Sequence, residues 1–279
     1  MLIRPTPPQS AASETAVGRA ASDRSAASYR RGAPCQNAAM RIAPVDFAIV
    51  ATIVLGLLVD QAWTAHGQLA VDVAAWLACA WLWKGSDAAT RFSLAACLVI
   101  ATAGEAFLSL AWGLYRYRLG NLPLFVPPGH VLLFFLGTRI AARLPERASL
   151  AVALAALPCV AILAATGRDT LGPFLLALFL ACLWLSPSRR LYATMFVLSL
   201  AMELYGTWMG NWAWRAEVPW LGLAATNPPI AAGAFYCVLD LLVVASAAVF
   251  GAQPPARPIW NPSVASHQAA TRSACSSRR

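Results

Sequence analysis

The chain has 279 residues, of which 59% are hydrophobic and only 12% are charged. Soluble domains carry roughly 25% charged residues, about twice this fraction. Between residues 47 and 250 the sequence offers several apolar stretches of about 20 residues, the length that crosses a ~30 Å hydrocarbon core. Composition therefore predicts an all-α integral membrane protein, and it argues against a soluble enzyme, a secreted disulfide scaffold or a nucleic-acid binder.

The two ends of the chain have a different composition from its centre. Residues 1–42 are rich in Ala, Ser, Arg and Pro and show no apolar periodicity. Such a segment cannot bury enough apolar surface to offset its ordering entropy, so we expect a disordered basic tail. An upstream start codon is the alternative, since Met40-Arg41 stands directly before the first apolar stretch. Residues 252–279 are predicted to be a second disordered tail, which leaves residues 43–251 as the membrane domain.

The apolar stretches of this domain predict eight membrane spans. They cover residues 45–65, 69–83, 92–115, 124–144, 148–166, 172–185, 191–211 and 228–250. With a cytoplasmic N-terminus, the outer loops hold four basic residues, which are Arg116, Arg118, Arg168 and Arg215. All other basic residues then lie on the inner side, as the positive-inside rule requires. This distribution predicts a multi-pass protein of the bacterial inner membrane with both termini cytoplasmic, and it explains the net charge of +9 without nucleic acid.

Two segments of the sequence resemble each other. Each has a Glu, then Gly-x-aromatic-x-aromatic-Arg, then a Pro-Pro pair at 127–128 or 228–229. The matching residues are Glu105, Gly113, Tyr115, Tyr117 and Arg118 in the first copy, and Glu203, Gly210, Trp212, Trp214 and Arg215 in the second. The copies lie four spans apart, and because four is an even number the two halves have the same orientation in the membrane. We therefore predict two parallel four-helix repeats, about 43–144 and 148–250.

Acidic residues within the spans are the first candidate functional groups. A carboxylate at the bilayer centre costs ~2.5–3.5 kcal/mol on insertion scales, so such groups are rare and usually functional. Glu105, Glu203 and Asp240 fall near mid-membrane and are predicted to be catalytic. The alternative is a structural role, in which a protonated or Arg-paired carboxyl holds two helices together.

Polar and aromatic residues near these acids are the candidate substrate-binding groups. They are Tyr115, Tyr117, Asn121, His130, Trp208, Trp212, Trp214 and Asn227. Each has a simpler interpretation: the aromatic residues as an interfacial belt, His130 as a polar group at the interface, and Asn227 as a helix N-cap.

No pattern in the sequence predicts a metal or a cofactor. The seven Cys form no CxxC pair, the three His are too few for a histidine-box iron site, and there is no Asp-rich motif for magnesium diphosphate. The only Lys, Lys84, follows Trp83, so a Walker A phosphate loop is absent as well.

The two motifs also carry a family resemblance. Gly113-Leu-Tyr115-Arg-Tyr117, followed by Leu-Gly and PLFVP, resembles the first signature of the bisanhydrobacterioruberin (carotenoid) hydratase family of membrane proteins. The second motif, followed by Pro219, Leu-Gly-Leu and Asn227, resembles the second signature. The sequence departs from the family at Trp112-Gly113-Leu114, where the family has Phe-Gly, and at Asn227-Pro228, where it has Asn-Phe. The resemblance implies a membrane enzyme of isoprenoid or carotenoid biosynthesis that hydrates a terminal double bond.

This chemistry is compatible with the residues themselves. Hydration needs a proton donor, a pocket that tolerates a carbocation, and a positioned water. A carboxyl in an apolar setting can stay protonated, and an aromatic face stabilises a desolvated cation by ~0.5–2 kcal/mol. We therefore expect Glu105, flanked by apolar residues, to be the acid, and Glu203 together with Asp240 to position the water.

Three other functions remain open from the sequence. Proton-initiated cyclisation of a prenyl chain needs the same groups, because only the captor of the carbocation differs. A small proton-coupled transporter could use the carboxylates as a proton relay. A non-catalytic assembly factor for a pigment complex is the third. The expected partners are a lipophilic isoprenoid substrate and membrane lipid, while a homo-oligomer and pigment-biosynthesis partners are left open.

Overall fold

The computed structural model describes residues 43–250, and both predicted tails lie outside the described residues. This part of the chain forms eight α-helices, one π-helical turn and two short strands. The helices are α1 (Pro44–Ala62), α2 (Thr64–Gly85), α3 (Ala88–Glu105), α4 (Val126–Ala141), α5 (Arg147–Ala165), α6 (Gly172–Leu185), α7 (Arg189–Met209) and α8 (Gly233–Val249). The π turn is Ala106–Ala111, and the strands are β1 (Tyr115–Tyr117) and β2 (Trp212–Trp214).

Three helical segments are long and apolar enough to cross a membrane. They are Pro44–Ala62, Ala88–Ala111 and Arg147–Ala165, and the helices α4, α6 and α8 are apolar but shorter. Many large apolar side chains on the outside of the bundle are exposed, including Phe47, Leu55 and Trp184. Contiguous exposed apolar surface of this kind is typical of contact with lipid. The predicted helical membrane class is thus confirmed, with two three-residue strands added.

The helices of the two sequence halves make matching contacts. At the centre, α3 and α7 each pack against both α4 and α8. Outside this central group, α1 packs on α2 and α2 packs on α4, while α5 packs on α6 and α6 packs on α8. The two inter-helix connections that carry the motifs, α3–α4 and α7–α8, consequently meet at one end of the bundle.

The two strands pair at this end of the bundle and form an antiparallel ribbon. Tyr115 lies opposite Trp214, Arg116 opposite Ala213, and Tyr117 opposite Trp212. Because side chains alternate between the faces of a strand, the four aromatic residues are buried and the middle residue of each strand is exposed. The ribbon therefore joins the two halves through main-chain hydrogen bonds and directs all four motif aromatics inward.

The π-helical turn explains a difference between the two motif copies. The spacing from Glu to Gly is eight residues in the first copy and seven in the second. In the π turn the amide of Trp112 donates to the carbonyl of Phe107, five residues back, at 2.7 Å. A π turn accommodates one extra residue within a helix, so the longer first copy still delivers its aromatic pair to the ribbon.

The helix ends differ from the predicted spans mainly around the motifs. The third and seventh predicted spans extend to residues 115 and 211, whereas the helical structure ends at Ala111 and Met209. Gly113 and Gly210 have φ of 72° and 81°, a left-handed conformation that ends a helix. The eighth predicted span begins at residue 228, but α8 begins at Gly233, so the residues between β2 and α8 form a longer connection.

Candidate functional site

Glu105, the last residue of α3, lies beneath the ribbon. Its Oε2 accepts hydrogen bonds from the hydroxyls of Tyr115, at 2.5 Å, and Tyr117, at 2.7 Å. Nε2 of His130, on α4, lies 3.4 Å from the other oxygen, Oε1. All four side chains are buried, so this carboxyl interacts with protein groups rather than with bulk water.

Glu203, on α7, occupies the corresponding place in the second half. Its Oε2 accepts hydrogen bonds from the indole N–H groups of Trp212, at 2.7 Å, and Trp214, at 2.9 Å. The hydroxyl of Tyr236, on α8, donates to Oε1 at 2.9 Å. In both copies, therefore, the Glu is hydrogen-bonded to the aromatic pair of its own motif.

His130 and Tyr236 connect the two carboxyl clusters. Their rings stack with centroids 4.7 Å apart and an angle of 5° between planes. His130 is beside Glu105 and Tyr236 is bonded to Glu203, so the two carboxyls belong to one buried polar network between α4 and α8. In addition, Tyr115 contacts Trp214 across the ribbon, with ring centroids 4.7 Å apart.

Donor and acceptor rules fix where protons can lie in the first cluster. Nδ1 of His130 is 3.1 Å from the carbonyl oxygen of Val126, which can only accept, so Nδ1 carries a hydrogen. Nε2 of His130, 3.4 Å from Oε1 of Glu105, makes no hydrogen bond within residues 43–250. This buried nitrogen is therefore left close to the carboxyl and free to exchange a proton with it after a small movement of either side chain.

The same rules restrict the second cluster more strongly. An indole N–H only donates, so Oε2 of Glu203 is an acceptor in every protonation state. A proton on Glu203 would have to reside on Oε1 and reverse the hydrogen bond with Tyr236. Three donors aimed at one carboxylate favour its charged form, whereas the burial of Glu203 favours its neutral form.

The two tyrosines of β1 remain protonated donors. Burial raises the pKa of Tyr115 and of Tyr117 well above the ordinary tyrosine range, and the adjacent Glu105 raises both further. Their hydroxyl hydrogens are thus available to Glu105 at any physiological pH. A phenol hydroxyl can also accept a hydrogen bond, which an indole cannot.

The polar network borders an apolar cavity of about 60 Å³. Its polar lining consists of Thr52, Tyr115, Tyr117, His130, Glu203, Trp212 and Tyr236. Apolar residues of α1, α2, α4 and α7, with Phe125 just before α4, form the rest. Glu105 is not part of the wall and lies behind its two tyrosines. One water needs ~10–15 Å³ on this measure, so the cavity has room for several waters or for the end of a hydrocarbon chain.

Asp240 is the predicted catalytic residue that the structure does not bring to this site. It lies one turn beyond Tyr236 on α8 and is 3% exposed, but it neither lines the cavity nor shares a hydrogen bond with Glu203. Its Oδ2 has no hydrogen-bond partner among residues 43–250. The predicted cooperation of Asp240 with Glu203 therefore has no geometric basis, because its carboxyl points to another part of the interior.

Four predicted substrate-binding residues also lie outside the cavity. Trp214 is bonded to Glu203 but is not among the residues that line the cavity. Trp208 is 79% exposed on the surface of α7, as an interfacial belt residue would be. Asn121 lines a separate groove on the outer side of the ribbon. Asn227 accepts a hydrogen bond from the amide of Trp214 at 2.7 Å, so it positions β2 and does not cap α8.

Sequence reasoning missed Tyr236 and the residues that hold the ribbon in place. Tyr236 follows the Pro-Pro pair by seven residues, whereas His130 follows its own by two, so the motif comparison did not align them. Asp60 receives a hydrogen bond from Asn211 at 2.7 Å and an ion pair from Arg118 at 3.2 Å. Asp169, which is fully buried, accepts from the amides of Gly172 and Ile230. The only sequence signal for these two residues was an acidic group at the outer end of a span.

Within residues 43–250, no group of three or more His, Cys, Asp or Glu side chains has a geometry that could hold a metal ion. Comparison with known proteins gives no further assignment, since no family model, no curated protein and no solved structure matches the chain.

Proposed function

We propose that this protein is a membrane-embedded enzyme of isoprenoid or carotenoid biosynthesis that adds water to a terminal C=C bond of a polyisoprenoid without a cofactor. The supporting observation is that two buried carboxyls with different hydrogen-bond donors belong to one network beside an apolar cavity. The resemblance of the two sequence motifs to the carotenoid hydratase family points to the same substrate class.

The Glu105–His130 pair is the proposed source of the proton. His130 lines the cavity, and its Nε2 lies 3.4 Å from Oε1 of Glu105, so a proton held by this pair would be close to a double bond placed in the cavity. Transfer of this proton to the less substituted carbon of the alkene uses the π electron pair to form a new C–H bond and leaves a tertiary carbocation on the more substituted carbon. The aromatic faces of Tyr115 and Tyr117 lie at the same wall and would stabilise that cation.

Glu203 is the proposed group that positions the water for its attack on the carbocation. Its carboxylate faces the cavity, carries the negative charge that a carbocation needs nearby, and can hold a water through Oε1. The water oxygen attacks the cation, forms the C–O bond and gives its surplus proton to Glu203. The net reaction consumes one alkene and one water, and the proton on Glu203 must return to the Glu105–His130 pair before the next turnover.

The proposed topology has all eight helices crossing the membrane as two parallel repeats, with the ribbon outside and both termini cytoplasmic. Matching helix contacts in the two halves support the repeat. At the end opposite the ribbon, Arg139 of α4 and Arg143, two residues beyond the end of α4, pair with Asp46 at the start of α1. These buried and half-buried arginines fit the positively charged inner side of a bacterial membrane.

The decisive experiment is an assay for the water adduct. Membranes that contain the protein are incubated with an acyclic carotenoid or polyprenyl substrate in oxygen-18 water, and the products are analysed by mass spectrometry. We expect a product heavier by one labelled water, absent from membranes with the Glu105→Gln variant. An isomeric product of unchanged mass would show cyclisation instead. No product with any isoprenoid, together with proton-coupled uptake in proteoliposomes, would replace this proposal by transport.

A further inference from the structure

Two arginines on the outer face of the ribbon have no partner in the fold. Arg116 is the middle residue of β1, and Arg215 follows β2 directly. Both are exposed, and within residues 43–250 neither guanidinium makes a hydrogen bond or an ion pair. By contrast, Arg118, Arg139 and Arg190 each pair with an acidic side chain. The two unpaired charges are therefore not needed to hold the ribbon together.

The register of the ribbon brings these two arginines onto one surface. Arg116 lies opposite Ala213 in the ribbon, and Arg215 follows Ala213 by two residues along the chain. Because side chains alternate between the two faces of a strand, both arginine side chains lie on the face opposite to the buried aromatic residues. Diagonal neighbours of this kind are ≈7–8 Å apart, within reach of long side chains. The small side chain of Ala213 leaves the space between them open.

Comparison of the two motif copies shows that the motif arginine is unpaired only in the second copy. Arg118 and Arg215 occupy equivalent positions in the two motifs, but Arg118 turns to Asp60 on α1. The buried acid at the outer end of the second half, Asp169, instead accepts from backbone amides and from the hydroxyl of Thr226. Arg215 thus lacks the counter-ion that its equivalent has, and it remains available to a ligand.

A groove of about 340 Å³ lies beside the pair. Its polar lining consists of Arg116, Arg215, Ser109 and Asn121 together with the tyrosines of β1, and it contains no carboxylate. Gly113 and Gly120 expose backbone to it as well. Glu217 lines a neighbouring groove that both arginines also border, and it makes an ion pair with neither of them. Two guanidinium groups with neutral donors between them form a site that suits an oxyanion.

Exposed aromatic residues place this groove at the level of lipid headgroups. Trp220 is 75% exposed and stacks on Trp112, with ring centroids 6.0 Å apart and an angle of 6° between planes. Exposed Trp side chains of this kind are enriched where the hydrocarbon meets water. Arg116 and Arg215 therefore lie at the depth where phosphate groups of the outer leaflet are found.

We propose that the Arg116–Arg215 groove binds a phosphate group, with Asn121 as an additional neutral donor. The phosphate can belong to a lipid headgroup of the same leaflet or to a soluble phosphate ester. This site is separate from the cavity beside Glu203 and does not depend on the proposed hydration.

The test compares an Arg116→Gln/Arg215→Gln double variant with an Arg168→Gln variant. Arg168 is exposed at the same end of the bundle and outside the groove, so its replacement controls for lost positive charge. In the first arm, native mass spectrometry measures retention of phosphatidylglycerol, against diacylglycerol, by each protein purified in an uncharged detergent. In the second arm, calorimetry measures binding of inorganic phosphate and pyrophosphate.

We expect wild type and Arg168→Gln to retain phosphatidylglycerol and the double variant to lose about tenfold or more in affinity, as befits loss of two charge-assisted contacts. The thermal unfolding midpoint should be the same in all three proteins. Lipid retention without binding of inorganic phosphate assigns the site to a headgroup, and binding of both assigns it to phosphate in general. Equal retention and equal phosphate binding in the three proteins would overturn the proposal.

Discussion

The two halves of the bundle hold a buried carboxyl in the same frame but with different chemistry. In the first half Glu105 has two phenols and an imidazole as neighbours, and in the second Glu203 has two indoles and a phenol. Phenol and imidazole can both give and take a proton, whereas an indole can only donate a hydrogen bond. One scaffold thus surrounds one carboxyl with groups that can donate and accept hydrogen bonds, and the other mainly with groups that can only donate them.

Replacing Glu105 by Gln should have the largest effect on activity. The amide keeps the shape of the side chain but cannot supply a proton, and general acid catalysis contributes ~10²–10⁴-fold to rates. We expect product formation to fall by about this factor, measured as deuterium incorporation from heavy water. Glu146→Gln is the control, since Glu146 is exposed and pairs only with Arg190 at the surface.

A Glu105→Gln protein with near-native turnover would show that the proton comes from elsewhere. If Glu105→Gln and Glu203→Gln both failed to accumulate in the membrane while Glu146→Gln accumulated normally, the two carboxyls would be structural.

Glu203→Gln should change what happens after protonation. Its amide oxygen can still accept from both indoles, but the negative charge beside the cavity is lost. We expect deuterium incorporation to continue and the yield of water adduct to fall by about tenfold to a hundredfold, with isomerised alkenes in its place. Equal loss of deuterium incorporation and of water adduct would mean that the two carboxyls do not divide the reaction between them.

The comparison also predicts a difference in stability. Trp214→Phe removes a donor from Glu203, the proposed carboxylate, and Tyr115→Phe removes one from Glu105, the proposed proton donor. Leaving a buried acceptor short of a donor costs about 1–3 kcal/mol, with the upper end for charged groups. We expect Trp214→Phe to lower the free energy of unfolding in detergent by about 2 kcal/mol and Tyr115→Phe by about 1 kcal/mol. Trp184→Phe, at a highly exposed position of α6, is the control for loss of an indole. A larger loss of stability for Tyr115→Phe than for Trp214→Phe would contradict the assignment of charge to Glu203.

Tyr236→Phe should have the smallest effect. The ring still stacks on His130, so only the hydroxyl bond to Glu203 is lost. If this hydroxyl helps return the proton, the first turnover is unchanged and later turnovers slow by about threefold to tenfold, within the range of one hydrogen bond. Tyr192→Phe is the matched control, since its buried hydroxyl bonds only to Ser186. Rapid-quench kinetics separate the first turnover from the later ones. An equal effect of Tyr236→Phe and Tyr192→Phe on the later turnovers would exclude a role for the Tyr236 hydroxyl.

Features set by short sequence patterns could be predicted, and features set by tertiary packing could not. Apolar length placed a helix in every predicted span, and the repeat placed Tyr115 and Tyr117 with Glu105, and Trp212 and Trp214 with Glu203. The pairing of β1 with β2 could not be predicted, because three-residue strands carry no periodicity and their partner is almost a hundred positions away. Asp240 was misplaced for a related reason: depth in the membrane can be read from the sequence, but the direction of a side chain around its helix depends on the neighbouring helices.

The π turn has a consequence for how two similar segments of one apolar sequence are compared. Its extra residue lies inside a helix, between two positions that are both fixed by the ribbon and the carboxyl network. An alignment of the two copies must therefore open a gap within a transmembrane segment, where gaps are usually the most heavily penalised. Without that gap either the carboxyls or the aromatic pairs fall out of register, and the relationship between the halves disappears. A search for internal symmetry in apolar sequences should therefore allow the insertion of a single residue next to a buried acid.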